Sequence, residues 1–312
     1  MDQTNKAGHA EPSARARELV RGAYDLHVHT GPDLLPRSAS DLELAYRCRE
    51  LGLAGFVIKS HYIPSAPRAA VVHALVPEIT ALGSVTLNSA IGGINPVAVE
   101  IAARAGARIV WMPTFDGVNE MFGHTSFPPG VKPPQWARLQ QELREQGVRS
   151  EPVRVVDENR AILPEVKTVL SLVARHNLIL ATGHLSRNEI FVVVAAARTA
   201  GVRDIIITHP DYPSQNLSQE DQHDLVRQGA FLERCFAPSY SGKVPWERMF
   251  ANIRATGPTH SFLATDLGQP DNPPIEDGLA LMVDQFLAGG FTEDEIHQMV
   301  VVNTRRLATG EA

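Results

Sequence analysis

Residues 23–30 read AYDLHVHT, an apolar run that carries His27 and His29 near its end. Successive side chains of a strand point to opposite faces, so residues spaced i,i+2 share one face. The same pattern of an apolar run ending in a polar ligand type recurs along the chain. LAGFVIKSH (53–61) ends in Lys59 and His61, LILATGH (178–184) in His184, DIIITH (204–209) in His209, and HSFLATD (260–266) in Asp266. A paired imidazole followed by single imidazoles and a carboxylate from later strands is the donor set that a bound transition metal requires.

Working outward, apolar runs alternate with helical patterns. Strands are expected near 23–30, 53–60, 84–91, 107–113, 178–184, 203–209, 231–237 and 261–266. Helices are expected at 40–51, 67–81, 95–105, 164–176, 188–200, 218–228 and 244–256. Ser40 and Ser218 supply helix-start chemistry, and Gly52, Gly106, Gly201 and Gly229 fall where helices should stop. Eight strands in alternation with helices predict an α/β fold of the (β/α)8 TIM-barrel type, with extra helix at the C-terminus. No GxGxxG follows an early strand, which argues against a doubly wound sheet. A barrel directs the C-terminal ends of its strands to one mouth, so the ligand types above would converge.

Residues 1–20 read as a flexible tail, and 21–312 as one domain. The alternation breaks once, over 115–160, a proline-rich stretch with a polar helix at 135–146. It follows the fourth strand, so it would emerge at the mouth as a lid-like insertion.

Composition narrows the class. A 44% hydrophobic content supports a sizeable core, while a net charge of −6 without a basic cluster argues against nucleic acid as partner. The run FVVVAAA (191–197) is far too short to span a membrane, and the first 20 residues lack the apolar segment of a signal peptide. With Cys48 and Cys235 alone, a disulfide framework is not expected, and the chain reads as cytoplasmic.

His27, His29, His184, His209 and Asp266 are therefore the expected metal ligands, with Asp266 also placed to accept a proton. The other histidines lie in the tail, on helices, in the long loop or, for His260, at the wrong end of a strand. Lys59, an ammonium in an apolar run, has three open readings. It is a carboxylated lysine bridging two metals, a charge that orients substrate, or a partner in an ion pair with Asp25 or Glu233. His61 is either a ligand or a substrate contact. Arg187 and Arg234, with Arg68, point to an anionic group on a substrate. Asp25 is a candidate for orienting the His27 imidazole, and Cys235 reads as a small buried apolar residue.

These residues resemble the amidohydrolase superfamily of metal-dependent barrel enzymes. The resemblance runs through DLHVH (25–29), Gly183–His184, Thr208–Pro210, Ala264–Asp266 and VVNTRRLATG (301–310), so it covers nearly the whole chain after the tail. It implies that His27, His29 and Asp266 hold one ion, and that His184 and His209 hold a second or join the first. Asp266 would be the general base. In binuclear members the bridging lysine or glutamate comes from strand four, but ARIVWMPT (107–114) has neither. Lys59 on strand two would have to take over.

The expected activity is hydrolysis of an amide, lactone or ester of a small molecule with one or two divalent ions, zinc first and manganese or iron as alternatives. A single-metal, decarboxylase-like lyase is the alternative. A PHP-type phosphoesterase, which shares the opening HxH, is the other alternative and the family ranked second, although strand three has no glutamate and Asp266 no DxH. Homo-oligomerisation through the long loop or the C-terminal helices is open.

Overall fold

The structure is a computed structural model that describes residues 9–123, 135–148 and 151–311. Eight strands pair in parallel and in chain order: β1 (Tyr24–Val28), β2 (Gly55–Ile58), β3 (Thr80–Thr86), β4 (Ala107–Trp111), β5 (Ile179–Ala181), β6 (Asp204–Ile207), β7 (Phe231–Cys235) and β8 (Ser261–Ala264). The helices around them begin with α1 (Ala14–Leu19), α2 (Asp41–Leu51), α3 (Ala66–Leu75) and α4 (Pro96–Arg104). The insertion after β4 carries α5 (Val118–Gly123) and α6 (Gln135–Glu145), and α7 (Pro164–Arg175), α8 (Arg187–Thr199) and α9 (Gln219–Arg227) follow. The last are α10 (Phe236–Tyr240), α11 (Trp246–Thr256), α12 (Ile275–Ala288), α13 (Glu293–His297) and α14 (Asn303–Thr309). This is the expected (β/α)8 barrel, with additional C-terminal helix. Among the described residues no helix is long and apolar enough to cross a membrane.

Two local expectations are corrected. Helix α3 stops at Leu75 because Pro77 lacks the N–H a helix needs and disfavours helical backbone at Val76. Strand β3 therefore begins at Thr80, and the residues expected to end it form a 3-10 turn, Ser89–Ile91. Part of the expected tail is also folded. Ser13 caps α1 by accepting from Ala16 N, and its own N–H and hydroxyl donate to Asp284 on α12 at 2.8 and 2.6 Å. Ala16 and Val20 are buried as a result.

Apolar side chains fill three layers. Leu26, Val57, Ile109, Trp111, Ile179, Ile206 and Phe262 belong to the cluster inside the barrel, and two outer clusters lie between strands and helices. Leu307 and Ala308 of α14 join the inner cluster and close its lower end. Arg108 secures this plug by donating twice to the Leu307 carbonyl, at 2.9 and 2.7 Å.

The seam between β8 and β1 is made just beyond the strand ends. Asp266 N donates to His27 O at 2.9 Å and His29 N to Leu267 O at 2.8 Å. Deeper in the seam, Asp25 accepts from Thr265 N at 3.0 Å and from Thr265 Oγ1 at 2.6 Å. Burial pushes the Asp25 carboxyl up to about 6 in spite of these bonds. Gly268 passes directly over the seam with φ +134°, and a Cβ there would lie 1.7 Å from the His29 carbonyl oxygen. Gly268→Ala combines backbone strain with a steric overlap worth about 1–3 kcal/mol or more. A fall of roughly 5 °C or more in the thermal midpoint is expected; an unchanged midpoint would show that the seam tolerates displacement.

Candidate metal centre

The ligand types converge at the C-terminal mouth. His27 lies within β1 and His29 just past it, Glu233 within β7, and Lys59, His184, His209 and Asp266 just past β2, β5, β6 and β8. His209 and Asp266 both hold left-handed backbone, at φ 48° and 53°, a conformation that costs a non-glycine residue strain. Each turns the chain sharply at the rim.

Hydrogen bonds fix the imidazoles. His29 Nδ1 lies 3.0 Å from the Lys59 carbonyl oxygen, which can only accept, so Nδ1 carries the proton. His27 Nδ1 lies 3.0 Å from Glu233 Oε1, which fixes the same tautomer. Both rings then present Nε2 to Asp266 Oδ1, each at 3.1 Å. A bare Nε2 and a carboxylate oxygen facing each other at that distance are two lone pairs without a hydrogen between them.

Charge distribution explains why a proton does not settle the conflict at His29. Burial and the nearby Arg37 hold the His29 imidazole well below its ordinary value. Burial would raise Asp266, but His27, His29 and His209 outweigh it and hold the carboxyl well below the usual range. Burial likewise draws His209 down to about 3. His29 and His209 are thereby neutral imidazoles beside an ionised carboxylate, which are ligand forms. Against burial and Lys59, Asp266 and Glu233 raise His27, so a cation there would compete with a proton. His209 Nε2 lies 3.6 Å from Asp266 Oδ2, and its Nδ1 and Glu233 Oε2, 3.7 Å apart, are both buried without a hydrogen-bond partner. Donors of this chemistry, left with unspent lone pairs, fit a divalent cation.

Lys59 is buried against the same group. Its Nζ lies 2.9 Å from His27 Nε2 and 4.3 Å from the centre of the Trp111 ring. Among the described residues no carboxylate stands within ion-pair distance of it, which removes the expected pairing with Asp25 or Glu233. Burial lowers its pKa. The His61 ring stacks on His29 with centroids 5.0 Å apart, and its Nδ1 meets Thr114 Oγ1 at 2.9 Å. Phe115 touches His61 and stacks in turn on Trp136 of α6, which brings the insertion to the mouth.

The three arginines each pair with a carboxylate. Arg234 is fully buried, opposite in strand parity to Glu233 and Cys235, and donates to Asp211 Oδ2 at 2.7 Å. Arg187 pairs with Asp221 across the starts of α8 and α9, and Arg68 with Asp41 and the Thr30 carbonyl. None of the three joins the ligand group. Asp25 also turns away, because the pairing of β1 with β2 shifts register between Asp25 and Val28 and breaks the alternation. Its place beside the His27 imidazole is taken by Glu233. Cys235, read as apolar filler, lies within reach of His27, His209 and Glu233 as a possible donor set. Strand parity puts Glu233 and Cys235 on one face, and that signal was available in FLERC.

The fold is shared with known barrels. Three solved structures have the same fold at low identity, and all are amidohydrolase-superfamily members. The probable dipeptidase PvdM from Pseudomonas aeruginosa is 10% identical, with a TM-score of 0.64 over 94% of this chain and 96% of that one. A metallopeptidase described as dipeptidase AC is 14% identical, with a TM-score of 0.58 over 93% and 98%. The 2,6-dihydroxybenzoate decarboxylase from Rhizobium is 13% identical, with a TM-score of 0.52 over 94% and 100%. What they share with this chain is the fold, a barrel of eight parallel strands with surrounding helices. The chain belongs to DUF6282, a family of unknown function whose profile matches residues 22–233. No curated protein sequence matches the chain.

If Glu233 orients His27, Glu233→Ala weakens divalent-metal affinity by roughly 10–100-fold. Competition with a chromogenic chelator measures this, and wild-type affinity in a folded variant would remove Glu233 from the centre.

Proposed function

We propose that this chain is a metal-dependent hydrolase that directs water onto an amide, lactone or ester carbonyl of a small molecule. The observation that carries the reading is the unprotonated Nε2 of His29 set 3.1 Å from the ionised Asp266 carboxylate, with His27 Nε2 at the same distance. His27, His29 and Asp266 would hold the ion, with His209 and His184 beside them. The nitrogen-rich set favours zinc, with manganese and iron as alternatives. A bound divalent ion would supply Lewis acidity, making water nucleophilic near neutral pH and polarising a carbonyl.

The chain's own residues do the rest. The Asp266 side chain is 20% exposed while those of His27 and His29 are at most 2% exposed, so it is the member of the trio most open to water and substrate. Its carboxylate accepts the proton from the attacking water and passes it to the leaving group. Glu233 and the Lys59 carbonyl keep the two imidazoles in one tautomer through the cycle. Lys59, with its basicity lowered by burial, is an amine able to add to carbon dioxide. That addition would form an N–C bond, release a proton and leave a carboxylated side chain whose oxygens could hold a second ion. Cys48 and Cys235, both buried and unpaired, are consistent with a cytoplasmic enzyme.

A second reading has its own support. The β4 residues that face the barrel interior are Ile109 and Trp111, so this strand offers no bridging ligand. A single-ion centre would favour a decarboxylase-type lyase.

Two measurements separate these. Elemental analysis of purified wild type and Lys59→Ala should give about two ions per chain, falling to one or none in the variant. One ion in both proteins would favour the lyase. In a panel of amides, lactones and esters, metal-replete Asp266→Asn should turn over about 100-fold more slowly, or worse, than wild type. Equal turnover would refute the proton-transfer role.

A further inference from the structure

We infer that Glu120, carried by the insertion after β4, is a positioning residue for His184, holding that imidazole with Nε2 available to the centre. The inference rests on the metal-centre reading above and adds a residue from outside the barrel strands to it. Glu120 lies on α5, is 3% exposed, and brings Oε1 to 3.4 Å from His184 Nδ1. The same oxygen accepts from Ser214 Oγ at 2.7 Å. Its neighbour Asn119 donates to the carbonyls of His184 and Ser214, at 3.1 and 3.0 Å. Two adjacent insertion residues thus clamp the loops that follow β5 and β6, the two loops that carry His184 and His209.

The chemistry repeats what the barrel does elsewhere. Ligand imidazoles usually give their second N–H to a carboxylate or carbonyl, which fixes the tautomer and raises the basicity of the other nitrogen. Glu233 does this for His27 and the Lys59 carbonyl for His29. His184 Nδ1 is buried without a hydrogen-bond partner, and Glu120 Oε1, 3.4 Å away, is the carboxylate oxygen that a small rotation of either side chain would bring into line. Its Nε2 has no hydrogen bond among the described residues. The His184 ring lies 5.5 Å from that of His209 and 6.5 Å from that of His61, at the edge of the histidine group. A buried carboxylate is costly unless such donors answer it, and an imidazole N–H and a serine hydroxyl are suitable ones. The insertion is thereby part of the metal centre's frame.

Cobalt(II) titration of wild type, Glu120→Ala, Glu120→Gln and His184→Ala tests this, read by visible absorption and by the thermal midpoint of each apoprotein. The expected result is a Glu120→Ala protein with a wild-type apo midpoint that binds cobalt about 10–100-fold more weakly, with an altered band matching that of His184→Ala. Glu120→Gln, whose amide oxygen still accepts from Nδ1–H, should recover much of the wild-type spectrum. Wild-type affinity and spectrum in Glu120→Ala would overturn the inference, as would equal loss of apo midpoint in both Glu120 variants with cobalt binding unchanged. A wild-type protein that binds no cobalt would refute the metal-centre reading itself, and this inference with it.

Discussion

Two backbone hydrogen bonds, from Asp266 N to His27 O and from His29 N to Leu267 O, tie the last strand of the barrel to the first. The residues that make this seam also carry the three donors that crowd together at the mouth. Closing the barrel therefore forces two imidazoles against one carboxylate, whatever the side chains would prefer. At His29, the tautomer fixed by the Lys59 carbonyl and an imidazole kept neutral by burial and Arg37 prevent the ring from relieving the contact with its own hydrogen. Backbone closure creates the electrostatic conflict, and a bound cation would resolve it.

The surrounding structure serves this arrangement. Trp111 and the interior aliphatic side chains exclude water from beneath the site, and α14 seals the lower end through Leu307 and Ala308. Low polarisability below the donors strengthens every charge interaction above them. The same burial lowers the basicity of Lys59, whose amine lies against the Trp111 face. The insertion reaches the mouth from the other side, through Phe115, Trp136 and the Glu120–His184 contact.

Much of this was legible in the chain, and for a physical reason. The run of eight apolar segments reveals a barrel because each strand must be buried on both faces. A polar residue at the end of such a run can only sit at the rim, which is why His27, His29, His184, His209 and Asp266 could be placed together. Where the reading failed, the deciding interaction was remote or broke a local rule. Asp25 left the His27 face because β1 shifts register. Helix α1 formed where a tail was expected because Ser13 docks on Asp284, 271 residues away. Arg187 looked free because Asp221, its partner, lies on the next helix. Glu233 is different, since the parity of FLERC places it with Cys235 and opposite Arg234, and only the start of the strand was needed to see which face was inward.

The central claim is that a divalent ion belongs between His27, His29 and Asp266. Anomalous diffraction from crystals of the zinc-replete protein, recorded on both sides of the zinc absorption edge, tests it most directly. The account expects an edge-dependent peak bounded by the Nε2 atoms of His27 and His29 and the Asp266 carboxylate. A map with no such peak, or with zinc bound only elsewhere on the molecule, would contradict it.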